Sequence, residues 1–343
     1  MKQIETEIAQ LGEFGLIEHI TNGINIKNIS TKKGVGDDCA VLNYTDKEVL
    51  ISTDLLLEGV HFDLTYVPLK HLGYKAAVVN FSDIYAMNGT PRQIVVGLGI
   101  SKRFTVEHIE ALYEGIRLAC EIYGVDLVGG DTTSSKAGLT ISITCIGEVS
   151  KDEIVYRSGA KDTDLICVSG DLGAAYMGLQ LLEREKIASV GQSDFQPKFE
   201  GKEYLVERQL KPEARKDIIE NLRKNNIIPT AMIDVSDGLS SELLHICKQS
   251  NSGCRIYEDR LPIDYQTAIM AEELNMNLVT AALNGGEDYE LLFTVPLHYH
   301  EQLEKIGGIK IIGHITKEDL GCAMITRDGN EIYLKAQGWN HLQ

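Results

Sequence analysis

The chain predicts a mixed α/β or α+β fold arranged in two domains. Short apolar runs alternate with amphipathic stretches along its length, as expected when strands and helices share a core. Its 343 residues suit two domains of ordinary size. At 43% hydrophobic and 24% charged, the composition is that of a globular protein.

Val49–Thr53 reads as a strand ending in a polar turn. Leu69–Met87 has a helical pattern that Asn88-Gly89 stops. Thr105–Tyr123 is a stronger helix: Ile109, Leu112, Ile116, Ala119 and Tyr123 recur every three or four residues, and Gly124 suits its C-terminal cap. Leu139–Val149 reads as a long two-faced strand, with Leu139, Ile141, Ile143 and Cys145 alternating with hydroxyl residues. The first domain is expected to end near Val149. Beyond it, strands are expected at Leu165–Ser169 and Ala231–Val235. Helices are expected at Ala174–Glu185, Glu213–Lys224 and Leu239–Gln249. Asp328-Gly329 has the signature of a hairpin turn. Ser189–Glu203 has weak periodicity and is expected to form a loop.

The formal net charge of -17 argues against nucleic acid or an anionic membrane as a partner. An acidic protein holds a polyphosphate only when cations bridge the two, and magnesium commonly does so with carboxylates. Seven cysteines without a C-x-x-C pair argue against a fully paired disulfide framework. Cys145, Cys167 and Cys247 read as small buried apolar residues. The N-terminus lacks a signal peptide's apolar core, and no apolar run reaches the roughly 20 residues that span a bilayer. The expected location is the cytoplasm.

The common nucleotide-binding signatures, including G-x-x-x-x-G-K-[ST], are absent. Carboxylates beside apolar segments take their place. Asp37-Asp38 follows a glycine-rich turn, Ser52-Thr53-Asp54 follows an apolar run, and Asp83 sits inside an apolar helix. Gly129-Gly130-Asp131 reads as a turn after a strand, and Asp234 to Gly238 precedes a helix. Each alone is an ordinary cap or turn. Together they describe hard oxygen ligands for magnesium better than a zinc site. Asp83 is the hardest to explain structurally, because an apolar helix disfavours an unpaired acid. Gly285-Gly286-Glu287-Asp288-Tyr289, His61 and Trp339 are weaker candidates, each with a structural explanation of its own.

The segments GVGDDCAVL, STDLLLEGVHF, KAAVVNFSDIYAMNGTP, VGGDTT, RSGAKDTDLICVSGDLG, IDVSDGL and NGGEDYELLFTV resemble, in order, the motifs of thiamine-monophosphate kinases. The resemblance runs from about Glu13 to the C-terminus. It implies the two-domain fold of aminoimidazole ribonucleotide synthetase-like proteins, with mixed sheets flanked by helices. It also implies phosphorylation of thiamine monophosphate to thiamine diphosphate with ATP as co-substrate, and a homodimer joined through N-terminal domains. By that similarity Asp38, Ser52, Thr53, Asp54, Asp83, Asp131, Asp234 and Asp237 would ligate several magnesium ions. Tyr113, Gly130, Asp131, Arg157 and Ser236 would contact ATP, and His61, Glu287 and Trp339 the thiamine compound. A sister ATP-dependent synthetase with another acceptor, or a non-catalytic sensor of ATP and metal, remains open at this point.

Overall fold

The computed structural model describes residues 31–33, 37–38, 40–43, 46–190, 197 and 199–337. Trp339 and much of the 189–203 segment lie outside the described residues. The first part of the chain holds β1 (Thr31–Lys33), β2 (Ala40–Asn43), β3 (Lys47–Leu57), α1 (Leu69–Ala86), β4 (Thr90–Ile100), α2 (Val106–Tyr123), β5 (Asp126–Ser134) and β6 (Leu139–Ser150). Its six strands form one sheet in the order β1-β2-β3-β6-β4-β5. Among the described residues only β4 and β5 pair in parallel there, since α2 carries the chain back to the same end between them.

The second part holds β7 (Leu165–Ser169), α3 (Ala174–Ser189), α4 (Glu203–Leu210), α5 (Lys216–Lys224), β8 (Ala231–Asp234), α6 (Leu239–Ser250) and β9 (Ser252–Tyr257). It continues through α7 (Tyr265–Glu273), α8 (Leu278–Asn284), β10 (Leu291–Val295), α9 (His300–Leu303), β11 (Ile309–Lys317), β12 (Cys322–Ile325) and β13 (Glu331–Tyr333). Its seven strands run in the order β13-β12-β9-β11-β7-β10-β8, with only β12 and β9 parallel. Both sheets are therefore mixed. β12 and β13 form the hairpin expected at Asp328-Gly329.

The helix α1 is buried nearly all round, from Leu72 to Ala86, so it lies within the core instead of on a surface. It packs against β3, β4 and β6 of the first sheet and β8 of the second. One apolar cluster includes Ile84, Ile94 and Ile141 of the first part and Cys167 and Phe293 of the second. The backbones of α1 and α2 nearly touch: a Cβ on Gly73 would lie 1.9 Å from the Leu112 carbonyl oxygen, and one on Gly115 would lie 1.9 Å from that of Lys70. Only glycine permits this approach.

The ends of several elements differ from the sequence expectation. β3 continues to Leu57, so Ser52-Thr53-Asp54 lies mid-strand. Gly129-Gly130 is not a turn but the middle of β5, paired with β4. A Cβ on Gly130 would lie 2.1 Å from the Val96 carbonyl oxygen, so glycine there serves close strand packing. The helix α5 begins at Lys216, three residues after the expected Glu213. Gly124 caps α2 as expected, in the left-handed region at φ 72°, whereas Thr105, expected as the first helical residue, is its N-cap. Among the described residues, no helix is long and apolar enough to cross a membrane.

Candidate active site

Three aspartates distant in sequence meet between the two sheets. Asp38 follows β1, Asp83 lies on α1, and Asp234 ends β8; their carboxylate oxygens lie within 4.8 Å of one another. The central position of α1 makes the meeting possible, since it brings Asp83 from the first sheet towards the edge of the second. Ser52 donates a hydrogen bond to Asp83 Oδ2. Ser82 Oγ, one residue before Asp83, donates to Asp234 Oδ2 at 2.5 Å.

This group is starved of counter-charge. Burial, reinforced by Asp54 and Asp234, pushes the Asp83 carboxyl well above the usual carboxylate range. Burial and Asp38 push Asp234 up to about 7, and burial alone pushes Asp54 up to about 6. Asp37 rises to about 6 through burial and the charge of Asp38. The neighbouring cations are Lys33, whose ammonium lies 3.6 Å from Asp37 Oδ2, and Arg157, whose guanidinium donates to Asp38 Oδ1 while its backbone N–H donates to Asp37 Oδ1 at 3.2 Å. Asp37 Oδ2 and Asp38 Oδ2 are buried without a hydrogen-bond partner. Among the described residues, one arginine and one lysine beside these acids leave room for further positive charge.

The loop after β8 adds Ser236 and Asp237. The Glu242 carboxylate fixes it by accepting from Ser236 N at 3.1 Å and Asp237 N at 2.8 Å. Two further backbone bonds lock it to the segment around Glu287: Glu287 N donates to the Ser236 carbonyl at 2.7 Å, and Tyr289 N to that of Val235 at 2.9 Å. Glu287 takes the left-handed region at φ 57°, which only this interlocked turn sustains. Its carboxylate pairs with Lys75 of α1 at 3.0 Å and accepts from Gln209 Nε2 at 2.7 Å.

Other candidates lie elsewhere. His61 follows β3, and its Nδ1 accepts from Leu57 N at 3.0 Å, which assigns the ring proton to Nε2 in the neutral form. Thr53 points to the opposite face of β3 from Ser52; its hydroxyl donates to the Ile143 carbonyl at 3.1 Å and lies 3.0 Å from Thr144 Oγ1. Asp131 pairs across the sheet with Gly97, Ser142 and Leu55 in turn, so it shares that open face. Tyr113, Gly130 and Asp131 together line a cleft of about 470 Å³. Tyr113 also borders a second cleft of about 510 Å³ that is lined by Phe104, Ile109 and Arg117.

A family model for the N-terminal domain of AIR synthase related proteins matches residues 36–149. The thiamine-monophosphate kinase of Aquifex aeolicus is 35% identical over 334 residues, covering 97% of this chain and 99% of that protein. The kinase of Bacillus subtilis is 34% identical over 342 residues, covering 97% of this chain and all of that protein. The chain belongs to the thiamine-monophosphate kinase family. The solved structure of AaThiL complexed with AMPPCP and TMP superposes with a TM-score of 0.83 at 33% identity, covering 99% of this chain and 100% of that one. The fold is that of the AIR synthase-related kinases, as the motifs imply.

Sequence reasoning missed several residues that shape this kinase-family site. Ser82, Lys75, Gln209 and Glu242 are polar and buried, but each meets its partner across a long stretch of chain or beneath a turn. A buried lysine in an apolar helix was the readable signal for Lys75. Tyr289 was noted only as part of a turn. Burial and the charges of Glu287 and Asp54 hold its phenol well above the usual range, so it stays a proton donor beside the acids.

Proposed function

We propose that this chain transfers the γ-phosphoryl group of ATP to thiamine monophosphate, giving thiamine diphosphate and ADP, the last step of thiamine diphosphate synthesis. The observation that carries this reading is the meeting of Asp38, Asp83 and Asp234 in a chain whose relatives are thiamine-monophosphate kinases. The donors fit magnesium: hard carboxylate oxygens, with Asp38 Oδ2 buried and unpartnered. Asp38, Ser52, Asp54, Asp83 and Asp234 would hold ions at the centre, and Asp237 a further one. Thr53 and Asp131, on the open face, join them on the family resemblance alone. When bound, the ions supply neutralisation of the charge spread over the transferring phosphoryl group.

The remaining work falls to the protein's own groups. Arg157 supplies a planar cationic fork for phosphate and keeps Asp38 oriented. Tyr113, Gly130 and Ser236 hold the nucleotide; the shared cleft of Tyr113 and Gly130 supports that assignment. Glu287, oriented by Lys75 and Gln209, faces the cationic thiamine compound with His61. Trp339, outside the described residues, is the candidate for stacking on it. Among the described residues, no side chain at this site has the setting of an activated nucleophile, so transfer is direct and in line, with the acceptor phosphate oxygen attacking.

We further propose a domain division at 149/150, which the separate sheets support, and a homodimer of cytoplasmic location. The open face of the first sheet supports the dimer: Leu55 is 54% exposed there, beside the half-buried Thr140, Ser142 and Thr144. Incubation with ATP, magnesium and thiamine monophosphate tests the activity. Thiamine diphosphate and ADP should form in equal amounts; ADP without thiamine diphosphate would refute the acceptor assignment.

A further inference from the structure

Three cysteines that look unrelated in sequence converge at the far end of α6. Cys247 lies in the last turn of that helix, Cys254 on β9 and Cys322 on β12, and their sulfurs lie within 4.8 Å of one another. The parallel pairing of β9 and β12 sets Cys254 directly beside Cys322. Asn251, in the left-handed region at φ 50°, turns the chain from α6 into β9 and so folds Cys247 back over the pair. All three are free thiols. The helical stretch from Leu239 to Cys247 separates this cluster from the Ser236-Asp237 loop by about 12 Å.

Small buried cysteines are commonly packing residues, as Cys145 and Cys167 are here. The cluster is different because three sulfurs share one point and a fourth donor stands beside them. The Ser252 hydroxyl, at the start of β9 and two residues before Cys254, is buried without a hydrogen-bond partner. Sulfurs around a tetrahedral zinc lie about 3.8 Å apart, from a Zn–S bond of about 2.3 Å. The present limit of 4.8 Å is about 1 Å wider than that. Cys322 is the half-buried member and gives access from solvent.

We infer that Cys247, Cys254 and Cys322 form a binding site for a thiophilic d10 cation, Zn2+ or Cu+, separate from the acidic centre. Binding replaces each S–H proton with the metal and releases the protons to solvent, with no change of oxidation state. The bound ion would staple the last turn of α6 to two strands of the second sheet.

Cobalt(II) serves as the spectroscopic probe, added to the reduced full chain with excess magnesium present to occupy the carboxylates. A thiolate-to-cobalt charge-transfer band should appear at one equivalent, and zinc should displace it. Cu+ is tested in a second arm by competition against a chromophoric chelator. The band should vanish in Cys254→Ser and Cys322→Ser and persist in Cys167→Ser. Should the serine variants fold poorly, alkylation of the parent gives an independent reading: zinc should protect Cys322, the half-buried member, from iodoacetamide and raise the midpoint of thermal unfolding. Absence of the band together with no protection by either metal would overturn the site, as would a band retained by Cys254→Ser.

Discussion

Lys75 places its ammonium nitrogen 3.0 Å from Glu287 Oε1, joining the buried helix of the first sheet to the turn beside the acidic centre. The two partners are unequally buried: the Lys75 side chain is 7% exposed and that of Glu287 33%. Removing the acid strands an ammonium group inside the protein, whereas removing the base leaves a carboxylate that water reaches. Glu287→Ala should therefore destabilise the chain more than Lys75→Met, by about 1–3 kcal/mol. Urea unfolding of both variants checks the order; equal losses would show that burial does not govern this pair.

The glycine contact between α1 and α2 makes a second prediction. A methyl group at Gly115 would meet the Lys70 carbonyl oxygen at 1.9 Å and the Tyr74 backbone nitrogen at 2.7 Å, so the helices must separate. Gly115→Ala should cost about 1–3 kcal/mol. Because α1 carries Asp83, it should also lower turnover. Gly129→Ala, whose Cβ would meet nothing nearer than Val95 Cγ1 at 3.9 Å, should leave the unfolding midpoint unchanged. A stable Gly115→Ala protein in thermal unfolding would contradict the close packing.

His245 provides a pH prediction. Burial, then the charges of Arg157 and Lys248, lower its imidazole to about 4. The unfolded chain takes up this proton near pH 6.5 and the folded chain only near pH 4, so stability present above about 6.5 is lost as pH falls towards 4. His245→Gln should remove one proton's worth of this slope. Urea unfolding of parent and variant across that interval reads the difference; parallel curves would show that His245 does not titrate differently on folding.

These relationships explain what was readable in the sequence. The helix from Val106 to Tyr123 was legible because its apolar spacing and its Gly124 stop agree. Asp83 was legible because an acid in an apolar helix has few structural uses. Other ends were misread where tertiary pairing overrides local signals: Gly129-Gly130 has the composition of a turn but packs as strand against Val96. Ser52 and Thr53 are adjacent in sequence, yet strand alternation sends their hydroxyls to opposite faces. The Ser82–Asp234 bond and the Cys247–Cys254–Cys322 cluster join elements far apart in the chain. Neither leaves a local pattern to read.

The central claim is that Asp38, Asp83 and Asp234 form the cation-dependent centre of phosphoryl transfer. Its most direct test is the rate of thiamine diphosphate formation by the parent chain and Asp83→Asn across a magnesium titration, with circular dichroism confirming that both are folded. Asp83→Asn keeps the side chain's size but removes the charge, so the rate should fall about a hundredfold or more, with magnesium dependence moved to higher concentration. Near-parental turnover by folded Asp83→Asn at limiting magnesium would contradict the account.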